Sequence, residues 1–197
     1  MTTDKISLRA RSGVHLLFAA GLLAGCSVMS KSECQQADWR ELGRQDASEG
    51  RAPSYLADRA AACAKAGVQG VDTPAYMAGH AQGLLAFCTV EAGFDFGCRG
   101  RTYRRTCPAE SRAVFQGGYR LGKDLHDLNQ RLERIDRDQA AQRGVLADAK
   151  TQQADRDAAA RQLRQLDSDE ASVRHSIWLA EQDARDLGLS PARWWCR

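Results

Sequence analysis

Proline is scarce in this chain of 197 residues. There are four, and none falls between Pro108 and Pro191. Glycine is missing as well from Val145 to Leu187. Without its two strongest punctuators, that half of the chain is free to form long helices. An excess of one charge is also missing. The formal net charge is +3, and residues 1–25 hold Lys5, Arg9 and Arg11 against Asp4, which leaves the remainder near +1. Neither nucleic acid nor an acidic polymer is implied as a partner. No C-x-x-C pair and no H-x-x-x-H exists, so the usual zinc spacings are absent and no metal ligands are expected. Histidine is limited to His15, His80, His126 and His175. Ser54, Ser111 and Ser172 stand in no nucleophile elbow, and no H-E-x-x-H or phosphate-binding glycine loop occurs. No catalytic residue is therefore assigned, and an enzyme is unsupported.

Long hydrophobic runs are lacking too. The longest extends from Val14 to Ala24, about half of the roughly 20 residues a membrane-spanning helix needs. It follows a basic leader and ends in Leu23-Ala24-Gly25-Cys26, which resembles the lipobox of a bacterial lipoprotein signal peptide. That resemblance implies cleavage after Gly25, a diacylglyceryl group on the Cys26 thiol and an N-acyl chain, such as palmitate, on the freed amine. Two or more chains anchor a protein stably, whereas one binds marginally. Ser27 in place of Asp implies sorting to the outer membrane, on its periplasmic face. The covalent lipid is the only cofactor expected, and the membrane is the first partner.

Six cysteines remain: Cys34, Cys63, Cys88, Cys98, Cys107 and Cys196. An even count in an exported chain reads as a disulfide framework, whose connectivity spacing alone leaves open. Helices are predicted over Gln36–Glu49, Pro53–Ala66, Pro74–Phe87 and from Pro108 onward, with Asp72-Thr73-Pro74 and Cys107-Pro108-Ala109-Glu110 as helix starts. Three of them pair an aromatic with small residues: Trp39 with Gly43 and Ala47, Tyr76 with Gly79 and Gly83, Phe115 with Gly118 and Gly122. Glycine inside a helix costs about 1 kcal/mol against alanine, so its repetition points to close backbone crossings. Leu56, Ala60 and Cys63 share a face, which directs Cys63 inward.

Between Thr89 and Thr106 the pattern breaks at Gly93, Gly97 and Gly100 and reads as a loop or short hairpin. Arg99, Arg101, Arg104 and Arg105 make a basic cluster there, a solvated loop or an anion site. Leu121, Leu125, Leu128, Leu132 and Ile135 form a heptad seam. The frame then turns polar through Gln139 and Gln142, and returns shifted at Leu163, Leu166, Val173, Ile177, Ala180, Ala184 and Leu187 before a stop at Gly188. The turn between these halves falls either at Asp167-Ser168-Asp169-Glu170 or near Arg143-Gly144 to Thr151. His80, one turn along the Gly79 helix, could face Asp46 across a crossing as base and orienter.

Cys34 through Trp39, Gly43, Asp46 and Gly50, then Arg59 to Lys65, Ala75 to Leu84, Cys88-Thr89 and Cys107 to Glu110 resemble a family of Gram-negative lipoproteins of unknown function, over about Cys34 to Leu128. The resemblance implies location and a four-cysteine scaffold, with Cys34, Cys63, Cys88 and Cys107 in two bridges, and no activity. Cys98 and Cys196 lie outside that pattern. They are read in the first place as a third, intramolecular bridge, which a turn near Gly144 to Thr151 favours and one at Asp167 disfavours without excluding, and in the second as dimer links.

The expected fold is all-α, a small disulfide-stapled helical domain followed by a long helical or coiled-coil hairpin arm. The expected divisions are a signal peptide at 1–25, a lipidated linker at 26–33, the stapled domain at 34–120, the arm at 121–187 and a tail at 188–197. The expected role is structural or partner-binding in the cell envelope, through an envelope protein or self-association of the arm. The alternative is a periplasmic enzyme or polysaccharide-binding module built on the Asp46/His80 region and the Arg-rich loop.

Overall fold

A computed structural model describes residues 28–190 and Cys196. The expected signal peptide, Cys26 and the tryptophan pair at 194–195 lie outside the described residues. All regular structure in the described residues is helical: α1 (Lys31–Gln35), α2 (Trp39–Ser48), α3 (Tyr55–Lys65), α4 (Thr73–Phe87), α5 (Val90–Cys98), α6 (Ala109–Ala147) and α7 (Gln153–Asp186). Side-chain caps start several of them. Ser30 and Glu33 form a capping box on α1, Asp38 accepts from Glu41 N–H on α2, and Asp72 accepts from Ala75 N–H on α4, with Pro74 in its first turn. The stretch expected to be a loop or hairpin is α5, capped by Thr89, which accepts from Ala92 N–H at 3.1 Å. Its glycines suggested a break, but Gly93 and Gly97 are crossing residues like those elsewhere in the chain.

Two crossings form the stapled domain, α2 on α4 and α5 on α6. At each, glycine lets one backbone touch another. A Cβ on Gly43 would stand 2.0 Å from Tyr76 O, and one on Gly118 would stand 2.0 Å from Val90 O. Disulfides tie each crossing to its neighbours: Cys34–Cys63 joins the start of the domain to α3, and Cys88–Cys107 joins the start of α5 to the segment before α6. These bridges close segments of 29 and 19 residues, each constraint stabilising by about 3 kcal/mol. Trp39, Cys63 and Tyr76 centre one core cluster, and Phe87, Phe96 and Phe115 centre another.

The boundary expected at 121 falls inside α6, which runs unbroken for 39 residues, about 58 Å. The chain turns at 148–152 and α7 returns antiparallel along α6. Asp167 to Glu170, one of the two expected turns, is helical. Asp167 and Glu170 instead accept from Nε2 of the buried Gln139 at 2.9 and 2.8 Å, while Arg143 donates to Gln139 Oε1. The polar gap in the seam is therefore a satisfied network that joins the two helices. Ile135, Leu166 and Val173 pack together on the arm, and Leu125 packs with Ala180 and Ala184 nearer the domain. Leu187, expected in the seam, is exposed, and Leu189 is buried in its place. Gly188 at φ +71° ends α7, with Leu189 N–H bonded to Ala184 O and Gly188 N–H to Arg185 O. The chain then reaches Cys196, which is bonded to Cys98 with the Cα atoms 4.5 Å apart.

Candidate functional site

α2, α3 and α4 bring together the polar residues of the first crossing. Asp46 on α2 is 1% exposed. It accepts from Arg59 Nε and Nη2, both at 2.7 Å, and from Tyr76 OH at 2.8 Å. Arg51 Nε stands 3.8 Å away. The bidentate arginine and the phenol supply the partners a buried carboxylate requires. Bonding to Asp46 holds Arg59 above the usual guanidinium value. Burial, and then the bond to Asp46, push the Tyr76 phenol well above its ordinary value. Tyr55 packs beneath two cations, with the Arg51 guanidinium 4.2 Å and the Arg59 guanidinium 5.4 Å from its ring centre.

His80 is 2% exposed, and its Nε2 lies 2.9 Å from Arg51 O. A carbonyl only accepts, so Nε2 carries the hydrogen in that bond. The structure does not join His80 to Asp46 by a hydrogen bond; each is bonded elsewhere. Both side chains hold the turn after α2 against α4, a role in assembly. Sequence reasoning missed Arg59 as the partner of Asp46. Its signal was there, since Arg59 lies four residues before the inward-facing Cys63 and so shares its face.

The four arginines of the expected basic cluster are divided. Arg101 and Arg104 line an open cleft of about 640 Å³ together with Arg51, Tyr55, Glu49 and Asp58. Arg99 caps the end of α5, and Arg105 is exposed in the connector at φ +58°. Arg101 Nη2 donates to Glu49 O at 3.1 Å, and its guanidinium lies 4.5 Å over the Phe96 ring. Thr106 Oγ1 donates to Gly50 O, which ties the same connector to the first crossing. Among the described residues no group of three metal-ligating side chains is assembled, and no helix is long and apolar enough to cross a membrane.

These features define an all-helical protein with three disulfides and a glycine-crossed core. Residues 38–124 match a family described as protein of unknown function, DUF2799. The match takes in both glycine crossings and stops within α6, at the start of the expected arm. Comparison with curated proteins and with solved structures finds no match to the chain.

Proposed function

We propose that this chain is an outer-membrane lipoprotein facing the periplasm, anchored through acyl chains on Cys26 and acting in envelope structure by presenting its helical arm to a partner. The observation that supports this reading most is the arm itself. Its two helices pair with each other through a narrow seam, and α7 leaves Trp178 and Leu179 about half exposed. A solvated helix rarely leaves a tryptophan uncovered without a contact to make. The pairing of all six cysteines after Cys26 supports an oxidising compartment. Catalysis by Asp46 and His80 gains no support, because internal partners already hold the Asp46 carboxylate and His80 Nε2.

The test is a photo-crosslinking amino acid at position 178 in cells, in the otherwise natural chain and with Cys26→Ser. The expected outcome is a discrete adduct, with a second copy or another envelope protein, in the outer-membrane fraction, and release of the protein from that fraction in the Cys26→Ser variant. An unmodified soluble protein with no adduct would overturn both anchoring and arm contact.

A further inference from the structure

The two glycine crossings are two copies of one unit. A Cβ on Gly43 would meet Tyr76 O and His80 N, and one on Gly93 would meet Phe115 O and Tyr119 N. Gly79 abuts Arg40 O as Gly118 abuts Val90 O, and Gly83 abuts Arg44 O as Gly122 abuts Phe94 O. The sequence order repeats with it: Tyr76, Gly79, His80 and Gly83 are spaced as Phe115, Gly118, Tyr119 and Gly122. α2 and α5 also end alike. Gly50 and Gly100 both take positive φ, Arg51 N–H bonds to Asp46 O, and Arg101 N–H bonds to Phe96 O. His80 Nε2 then bonds to Arg51 O at 2.9 Å, and Tyr119 OH bonds to Arg101 O at 3.0 Å. Where Arg51 lies beside Asp46, Arg101 lies over Phe96. The connectors differ, α3 in the first unit and an arginine-rich loop in the second.

Each unit therefore ends its first helix in a Gly-Arg turn, and both turn arginines line the same cleft, joined by Arg104 from the second connector. Glu49 is paired with Arg51 through Nη2 at 2.8 Å. Neither Arg101 nor Arg104 has an ion-pair partner among the described residues, and Asp58 is the other carboxylate in the lining. The hydroxyl residues Ser54 and Thr102 complete it.

We propose that this cleft is a phosphate-binding site, formed where the two repeated units meet. A tetrahedral phosphate offers oxygens to several guanidinium forks at once, whereas one fork satisfies both oxygens of a carboxylate. The cleft is several times larger than a phosphate ion, so the phosphate is carried on a larger group, a phosphorylated saccharide or a lipid headgroup. This inference is independent of the arm and of the anchor.

The test uses the full mature chain at low ionic strength, titrated calorimetrically with inorganic phosphate, with a hexose 6-phosphate, and with phosphatidylcholine vesicles containing phosphatidylglycerol. Saturable binding of phosphate is expected, weakened about tenfold or more by Arg104→Gln through loss of a charge-assisted bond. Arg104 has no internal partner among the described residues, so this variant keeps its fold. Arg101→Gln should behave likewise with its disulfides intact, and Arg105→Gln should bind as the natural chain does. Tighter binding of the hexose phosphate than of phosphate assigns a soluble ligand, and arginine-dependent vesicle binding assigns a headgroup. Non-saturating heat, or equal binding by the Arg104→Gln variant, would overturn the site.

Discussion

At the scale of single residues, the glycines of α6 separate two roles that composition alone merges. A Cβ added at Gly117 would meet nothing within 4 Å, whereas one at its neighbour Gly118 would stand 2.0 Å from Val90 O. Gly117→Ala is expected to stabilise by up to about 1 kcal/mol through helix propensity. Gly118→Ala is expected to destabilise by about 3 kcal/mol or more, because backbone, unlike a flexible side chain, cannot step aside. Urea unfolding of the two variants reads the difference directly. Tyr76 gives a second residue-scale outcome. Its phenol is raised in the folded protein above the ordinary value of 10.0, so unfolding releases a proton once an unfolded tyrosine ionises. Its contribution is complete below about pH 10 and is lost as pH rises toward and through the folded value. The unfolding midpoint should therefore fall above pH 10 less steeply in Tyr76→Phe than in the natural chain; equal slopes would show that Tyr76 is not held protonated. Of this polar cluster the sequence disclosed Asp46 and His80 as residues of interest, but not their partners. Arg59 reaches Asp46 from another helix, and a contact set by three-dimensional packing leaves only a faint trace in spacing.

Among the elements, the long periodic helices and the capped short ones α2 and α4 were legible, and α5 was not. The seam from Leu121 to Ile135 and the shifted frame in α7 follow from regular apolar spacing, which burial along a helix requires. α5 was hidden because Gly93, Asp95 and Gly97 resemble loop composition until the facing helix α6 is known. The turn was ambiguous for a related reason. Asp167 to Glu170 carry the chemistry of a helix start, but they serve as acceptors for Gln139 on the opposite helix. Burial of that network needs the seam on either side of it. Replacing both Leu128 and Leu132 with glutamate puts two charges against the apolar contacts of Ile177 and Val173, and should lower helical circular dichroism while Cys34–Cys63 and Cys88–Cys107 remain formed. Unchanged helicity would mean that the two helices do not depend on their seam.

For the whole molecule, the turn at 148–152 decides how the arm is held. Because α7 runs 34 residues, about 51 Å, it retraces α6 far enough to bring Leu189 and Cys196 to Phe94 and Cys98 at the end of α5. A turn at Asp167 would have left a return helix of about 20 residues, or 30 Å, ending well short of that site. The Cys98–Cys196 bridge thus closes the chain over a separation of 98 residues and links the arm's return to the second crossing. Asn129 Nδ2 reinforces the closure by donating to Cys196 O at 2.5 Å. Restricting so long a loop in the unfolded chain stabilises by about 4–5 kcal/mol, more than either short bridge. Replacing both Cys98 and Cys196 with serine should therefore lower stability by roughly that amount, and amide exchange should rise first in the last turns of α7, where Ala180 and Ala184 lose their covalent neighbour. Peptide mapping of unreduced natural protein should yield a linked Cys98/Cys196 fragment from monomer. A reducible dimer without that fragment would mean that these two cysteines join separate molecules, and that α7 is held to the domain by packing alone.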